Sequence, residues 1–95
     1  MNERHVTFNV HPDKKGEFER MFLDEYRPAM AGMPGFRRVE LLCRADEPLR
    51  YQMTIRFDSA ETSAAWRSSP QHEMLKPRLK ALYSDSEVQT FDVIA

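Results

Sequence analysis

With one cysteine, Cys43, in 95 residues, the chain has no partner for an internal disulfide and no cysteine-rich metal site. Its three histidines, His5, His11 and His72, are too widely spaced for an HxH or HExxH pattern, so the usual zinc spacings are missing too. Charge of one sign is lacking as well. The 14 basic and 15 acidic residues are scattered without a block and leave a net charge of −1. Nothing here provides for binding nucleic acid or an anionic membrane by charge alone. No apolar run approaches the roughly 20 residues of a membrane span. The opening MNERHVTFNV carries charges where a secretory signal needs an apolar stretch. A soluble, cytoplasmic protein is the expectation.

What is present suffices for one core. An apolar content of 41% over 95 residues, without repeats or low-complexity tracts, predicts a single domain spanning 1–95. A chain of this size hides only about 60–65% of its extended surface on folding, so a partner subunit adds useful burial.

HVTFNV alternates Val6, Phe8 and Val10 with polar residues, the period of two that marks a strand with unlike faces. HPDKKG then supplies turn residues and Asp13 as a cap, and Phe18, Met21, Phe22, Tyr26, Ala29 and Met30 recur at helical spacing. Pro28 lies inside that stripe and predicts a kink or loosening before Gly32. Pro34 and Gly35 fit the centre of a type II turn.

Two further strands follow, with Val39, Leu41 and Cys43 on one face of the first and Tyr51, Met53, Ile55 and Phe57 on one face of the second. RADEPL joins them as a hairpin. Asp58 and Glu61 have the spacing of a capping box, opening a short helix through Ala64, Ala65 and Trp66. Ser69 and Pro70 start another, with Leu75, Leu79 and Leu82 on one face and Pro77 as a kink or restart. SEVQTFDVIA closes the chain as a fourth strand. This order, with right-handed crossovers, predicts a four-stranded antiparallel sheet with helices on one face, the ferredoxin-like plait of the α+β class.

Along that topology, PGF at 34–36, LL at 41–42, Pro48 followed by Tyr51, FDSAETSAAW at 57–66 and SPQH at 69–72 resemble the antibiotic biosynthesis monooxygenase family over nearly the whole chain. No single element is specific; their ordered set carries the likeness. The resemblance implies a homodimer closed into a dimeric α+β barrel, with a cleft between sheet and helices in each subunit. The polar second face of the sheet, with Thr7, Asn9, Arg38, Glu40, Gln52, Thr54 and Arg56, does not by itself require a dimer.

Two chemistries come with the family. One oxidises a small aromatic, quinol or polyketide-type substrate with dioxygen and no cofactor. The other degrades haem with an Asn, a Trp and a His. Asn9, with Gly16 behind it, and Trp66 match the haem-degrading pattern, but its histidine belongs where Leu75 and Lys76 stand. A displacement of three or four residues is about 4.5–6 Å along a helix, too far for an iron ligand. The cofactor-free monooxygenase is therefore the leading expectation, with haem breakdown and a non-catalytic small-molecule-binding plait as alternatives.

Such chemistry needs a base, a donor for the developing oxyanion and a flat dry wall. His72, Asn9 and Trp66 are the candidates in that order, with Phe22, Tyr26 and Arg56 for substrate binding and no metal ligands. Each has a plainer reading. Burying Trp66 removes about 150–250 Å² of surface, about 4–6 kcal/mol, so packing alone accounts for it. His72 in a first helical turn is also a normal solvated residue, and Asn9 suits an edge strand as well as a cleft. Tyr26 fits the helix stripe and Arg56 a surface ion pair. Met21, Met30, Met53 and Met74 fit either an adaptable pocket or the core.

Overall fold

The alternation of Val6, Phe8 and Val10 organises the centre of the molecule. In a computed structural model describing residues 1–95, strand β1 (Asn2–Val10) pairs antiparallel with β3 (Glu47–Phe57) on one side and β4 (Tyr83–Asp92) on the other. β2 (Phe36–Arg44) completes the sheet at the free side of β3, in the order β2-β3-β1-β4. The period-two pattern begins earlier than HVTFNV indicates. Asn2, on the same face as Val6 and Phe8, is buried, and the strand runs back to include it.

After β1, Pro12–Lys14 forms a 3₁₀ turn with no side-chain cap, so Asp13 does not serve as one. Pro12 starts this turn because its fixed φ suits it and its missing N–H is not needed there. The long helix then runs as α1 (Lys15–Met21), a π-helical turn (Phe22–Tyr26) and α2 (Arg27–Ala31). The Arg27 N–H donates to the Phe22 carbonyl, five residues back. Pro28 has no N–H to donate, and the widened turn just before it absorbs the break. Phe18, Met21, Phe22, Tyr26 and Met30 all stay buried as a result.

Gly35 has φ +80°, as the type II turn requires, and the Phe36 N–H closes that turn on the Met33 carbonyl. A Cβ at Gly35 would lie 2.7 Å from side-chain atoms of Thr62. Gly35→Ala is expected to cost about 1–3 kcal/mol from backbone strain, before any clash is counted. A urea midpoint equal to that of the parent protein would show that the turn tolerates a side chain.

The β2–β3 hairpin is tighter than expected. Arg44 pairs with Glu47, so only Ala45 and Asp46 turn. Pro48 lies within β3, where the register jumps between Cys43 opposite Tyr51 and Arg44 opposite Glu47. That irregularity removes the demand for the N–H proline lacks.

α3 (Ala60–Arg67) is capped by Ser59 and Thr62, one residue along from the expected Asp58 and Glu61. Asp58 is engaged elsewhere, by Arg37 and through its N–H to the Gly35 carbonyl. α4 (Pro70–Lys80) starts as anticipated, with the Ser69 hydroxyl accepting from the His72 N–H and Pro70 in the first turn. Pro77 neither breaks nor restarts it; Leu75, Leu79 and the following Leu82 remain buried along one side. β4 begins at Tyr83, earlier than SEVQ, and ends before Val93.

The fold is the ferredoxin-like plait. The helices cover one face of the sheet, and the core lies between them. Met21, Met30 and Met53 belong to that core, whereas Met74 is exposed. No helix is long and apolar enough to cross a membrane.

Candidate active site

A cleft of about 260 Å³ opens between the sheet and the helix pair, on the covered face. Its composition follows from periodicity. α3 contributes Ser63, Trp66 and Arg67, spaced three and four apart; α4 contributes His72, Lys76 and Leu79 in the same way. β1 contributes Arg4, Val6 and Phe8, alternate residues of one face, and the first helix contributes Tyr26.

Three aromatic rings form the floor. The His72 imidazole meets the Trp66 indole edge to face at 5.2 Å between centroids, and Tyr26 meets Trp66 at 5.4 Å and 89°. His72 lies 6.3 Å from Tyr26. Trp66 is 2% exposed, so the packing reading holds for it, and its ring is also part of the cleft wall.

His72 is half-buried, its ring turned partly into the cleft. Its Nδ1 is buried without a hydrogen-bond partner. Burial holds the imidazole below its ordinary value of 6.5, with the charges of Lys76 and Arg67 adding to that, while the charge of Glu73 and the nearby Arg67 backbone carbonyl oppose it. The ring is therefore neutral at pH 7 and able to accept a proton. Burial pushes the Tyr26 phenol up to about 12, so it stays protonated and acts as a hydroxyl donor.

Of the residues expected at the site, Trp66, His72 and Tyr26 are brought together and three others are not. Asn9 stands on the opposite face of the sheet, since its neighbour Phe8 packs against Phe18 under the helices. Its amide donates to Asp85 at 2.6 Å and accepts from Arg50 at 2.9 Å. Arg56 shares that open face and holds Glu3 at 2.6 Å, the surface pair of the plainer reading. Phe22 is buried in the core and borders a separate groove with Val39 and Tyr51. The Asn and Trp of the haem-degrading pattern thus lie on opposite sides of the sheet within one chain. No cluster of three or more His, Cys, Asp or Glu side chains is placed to hold a metal ion.

Sequence reasoning missed Arg4, Arg67 and Lys76. One signal was there: Arg4 is two residues from Val6, on the strand face already assigned to the interior, and Lys76 stands four residues from the candidate His72. The Arg67 guanidinium donates to the buried Ser63 hydroxyl at 2.7 Å, which fixes its direction.

Comparison with known proteins agrees with this architecture. A family model described as antibiotic biosynthesis monooxygenase matches residues 1–77. Among solved structures, the chain is similar to SnoaB, a cofactor-independent oxygenase from Streptomyces nogalater. One SnoaB structure, of a single-substitution variant, is 25% identical with a TM-score of 0.88, over 97% of this chain and 91% of that one. Another is 24% identical with the same TM-score, over 99% and 93%. A Nitrosomonas europaea protein named for the same family is 17% identical, with a TM-score of 0.89 over the whole of both chains. No curated protein matches the sequence.

Proposed function

This chain belongs to the antibiotic biosynthesis monooxygenase family, and from that premise we propose that it oxidises a small electron-rich aromatic, such as a phenol or quinol, with dioxygen and without a cofactor. The observation that carries the proposal is the neutral His72 imidazole, its buried Nδ1 unpartnered, set against the Trp66 and Tyr26 rings in the cleft. The likeness to SnoaB, itself a cofactor-independent oxygenase, supports the same reading.

The chemistry is carried by the substrate. His72 takes the proton of the phenol or its keto form, leaving an anion rich enough to pass one electron to dioxygen. The radical and superoxide combine at carbon, and the resulting hydroperoxide collapses to a carbonyl with loss of water. Overall, a phenol and one dioxygen give a quinone and one water, so no external reductant is needed. The oxyanion donor expected of Asn9 passes to Tyr26, whose hydroxyl stays protonated. The Trp66 face supplies the flat wall that keeps water from the reacting ring.

An oxygen electrode with a panel of phenols, hydroquinones and anthrones tests this. One dioxygen consumed per quinone formed is the expected stoichiometry. No uptake above the uncatalysed rate across the panel would leave a binding protein rather than an oxygenase.

We also propose that the chain works as a homodimer joined through the open face of its sheet. That face carries exposed Leu42 and Phe91 around the Glu3–Arg56 pair, and a chain this short gains from further burial. Sedimentation at micromolar concentration should show a dimer; a monomer there would sink the idea.

A further inference from the structure

We propose that the ligand of this cleft is an organic acid, an aromatic molecule whose carboxylate sits between Arg4 and Arg67 with Lys76 beside it. The inference rests on the reading of the cleft as a substrate site and adds the class of substrate.

Most arginines elsewhere in the chain meet a carboxylate, Arg37 with Asp58, Arg38 with Glu40, Arg44 with Asp46, Arg56 with Glu3 and Arg78 with Glu25, while Arg20, Arg27 and Arg50 meet none. Arg4, Arg67 and Lys76 have none, and no Asp or Glu lines the cleft they share. Arg4 is the least ordinary of them. It is half-buried on the helix-facing side of the central strand, in line with the buried Asn2 and Phe8, and its guanidinium has no hydrogen-bond partner in the protein.

Burial, and after it the charge of Arg67, pulls Arg4 below its ordinary value. Two like charges are thus held towards each other in a partly dehydrated place, an arrangement that an anion relieves. Ser63 keeps Arg67 pointed there by a bond to its guanidinium, so the site is formed before any ligand arrives. Most of the remaining surface is apolar and aromatic, from Val6, Ile55, Leu79, Trp66 and Tyr26, with His72, Ser63 and Ser86 as its polar groups. A carboxylate at the cationic end and a ring system against the aromatic end fill both parts. The volume, about 260 Å³, is just below the roughly 300–1,000 Å³ usual for small-molecule sites and favours a ligand of few rings.

The test compares two probes of one shape, 1-hydroxy-2-naphthoate and 1-hydroxy-2-naphthamide, which differ in charge. Affinity is read by calorimetry, and occupancy of the cleft by quenching of Trp66, the only tryptophan. The acid is expected to bind about tenfold to a hundredfold more tightly than the amide, the range for a charge-assisted bond. Arg4→Gln and Arg67→Gln should each remove most of that preference, weakening the acid far more than the amide. Lys76→Gln should reduce it less, and it alters only a side chain on the helix surface, so it keeps the test valid if an arginine variant does not fold. Equal binding of acid and amide would overturn the acid proposal and leave the aromatic cleft standing. Binding of neither, by heat or by quenching, would overturn both.

Discussion

Replacing His72 by alanine is expected to lower the oxidation rate of an accepted phenol by about a hundredfold to ten-thousandfold, the usual contribution of a positioned general base. Binding should persist, because the aromatic wall and the cations are contributed by other residues. The loss should thus fall on kcat and leave KM nearly unchanged. Oxygen uptake measured against phenol concentration separates the two constants. Unchanged turnover in the variant would remove His72 from the chemistry, whatever its place in the cleft.

The pH profile of oxygen uptake by the parent protein gives an independent check. Burial, with the charge of Lys76, holds His72 below its ordinary value of 6.5 against the opposing charge of Glu73 and the Arg67 backbone carbonyl. The base form therefore persists to a lower pH than in free histidine. Activity should be on its plateau at pH 7 and fall only below the ordinary histidine range, with that limb absent in His72→Ala. Stability follows the same sign. A depressed value in the folded state means that the unfolded chain binds the proton more readily, so this contribution is present above pH 6.5 and declines as pH falls.

Trp66→Ala should be the most damaging single change to the fold. Removing a large buried aromatic costs about 3–5 kcal/mol, a substantial part of the roughly 5–15 kcal/mol that stabilises a small domain. Trp66 is 2% exposed and packs edge to face on both Tyr26 and His72, so three elements lose a common contact at once. Each kcal/mol corresponds to about 4–8 °C in a domain of this size, and the melting temperature should fall by more than about 10 °C. Circular dichroism is the appropriate probe, since the variant has no tryptophan to follow. Trp66→Phe should restore much of the stability while presenting a smaller wall to the ligand. If Trp66→Ala melted within a few degrees of the parent protein, the indole would be a ligand platform and not a structural anchor.

The elements were readable because their signals are local. Ser69 and Pro70 begin a helix by capping and fixed φ, Pro34 and Gly35 turn the chain by positive φ, and Val6, Phe8 and Val10 place a strand face by parity. Where the local reading slipped, competing partners were the cause. Asp58 had the spacing of a cap and instead meets Arg37. Pro28 foretold a disturbance, and the π turn took it up one turn earlier.

The site was less readable because it depends on which groups from distant segments face one another. Parity in β1 alone shows that Asn9 and Phe8 point to opposite faces, and helical spacing alone puts Ser63, Trp66 and Arg67 on one side of α3. The order of turns and apolar stripes was likewise enough for the plait, and the resemblance of the short motifs from PGF to SPQH pointed to the family. Only the folded chain decided that the cleft lies on the covered face, which separates Asn9 and Arg56 from Trp66 and His72. It also decided that Arg4, Arg67 and Lys76, drawn from three elements, meet no carboxylate there. Faces follow from backbone geometry over a few residues, whereas the counter-charges of a site are supplied, or withheld, by strand pairing and helix packing across the whole chain.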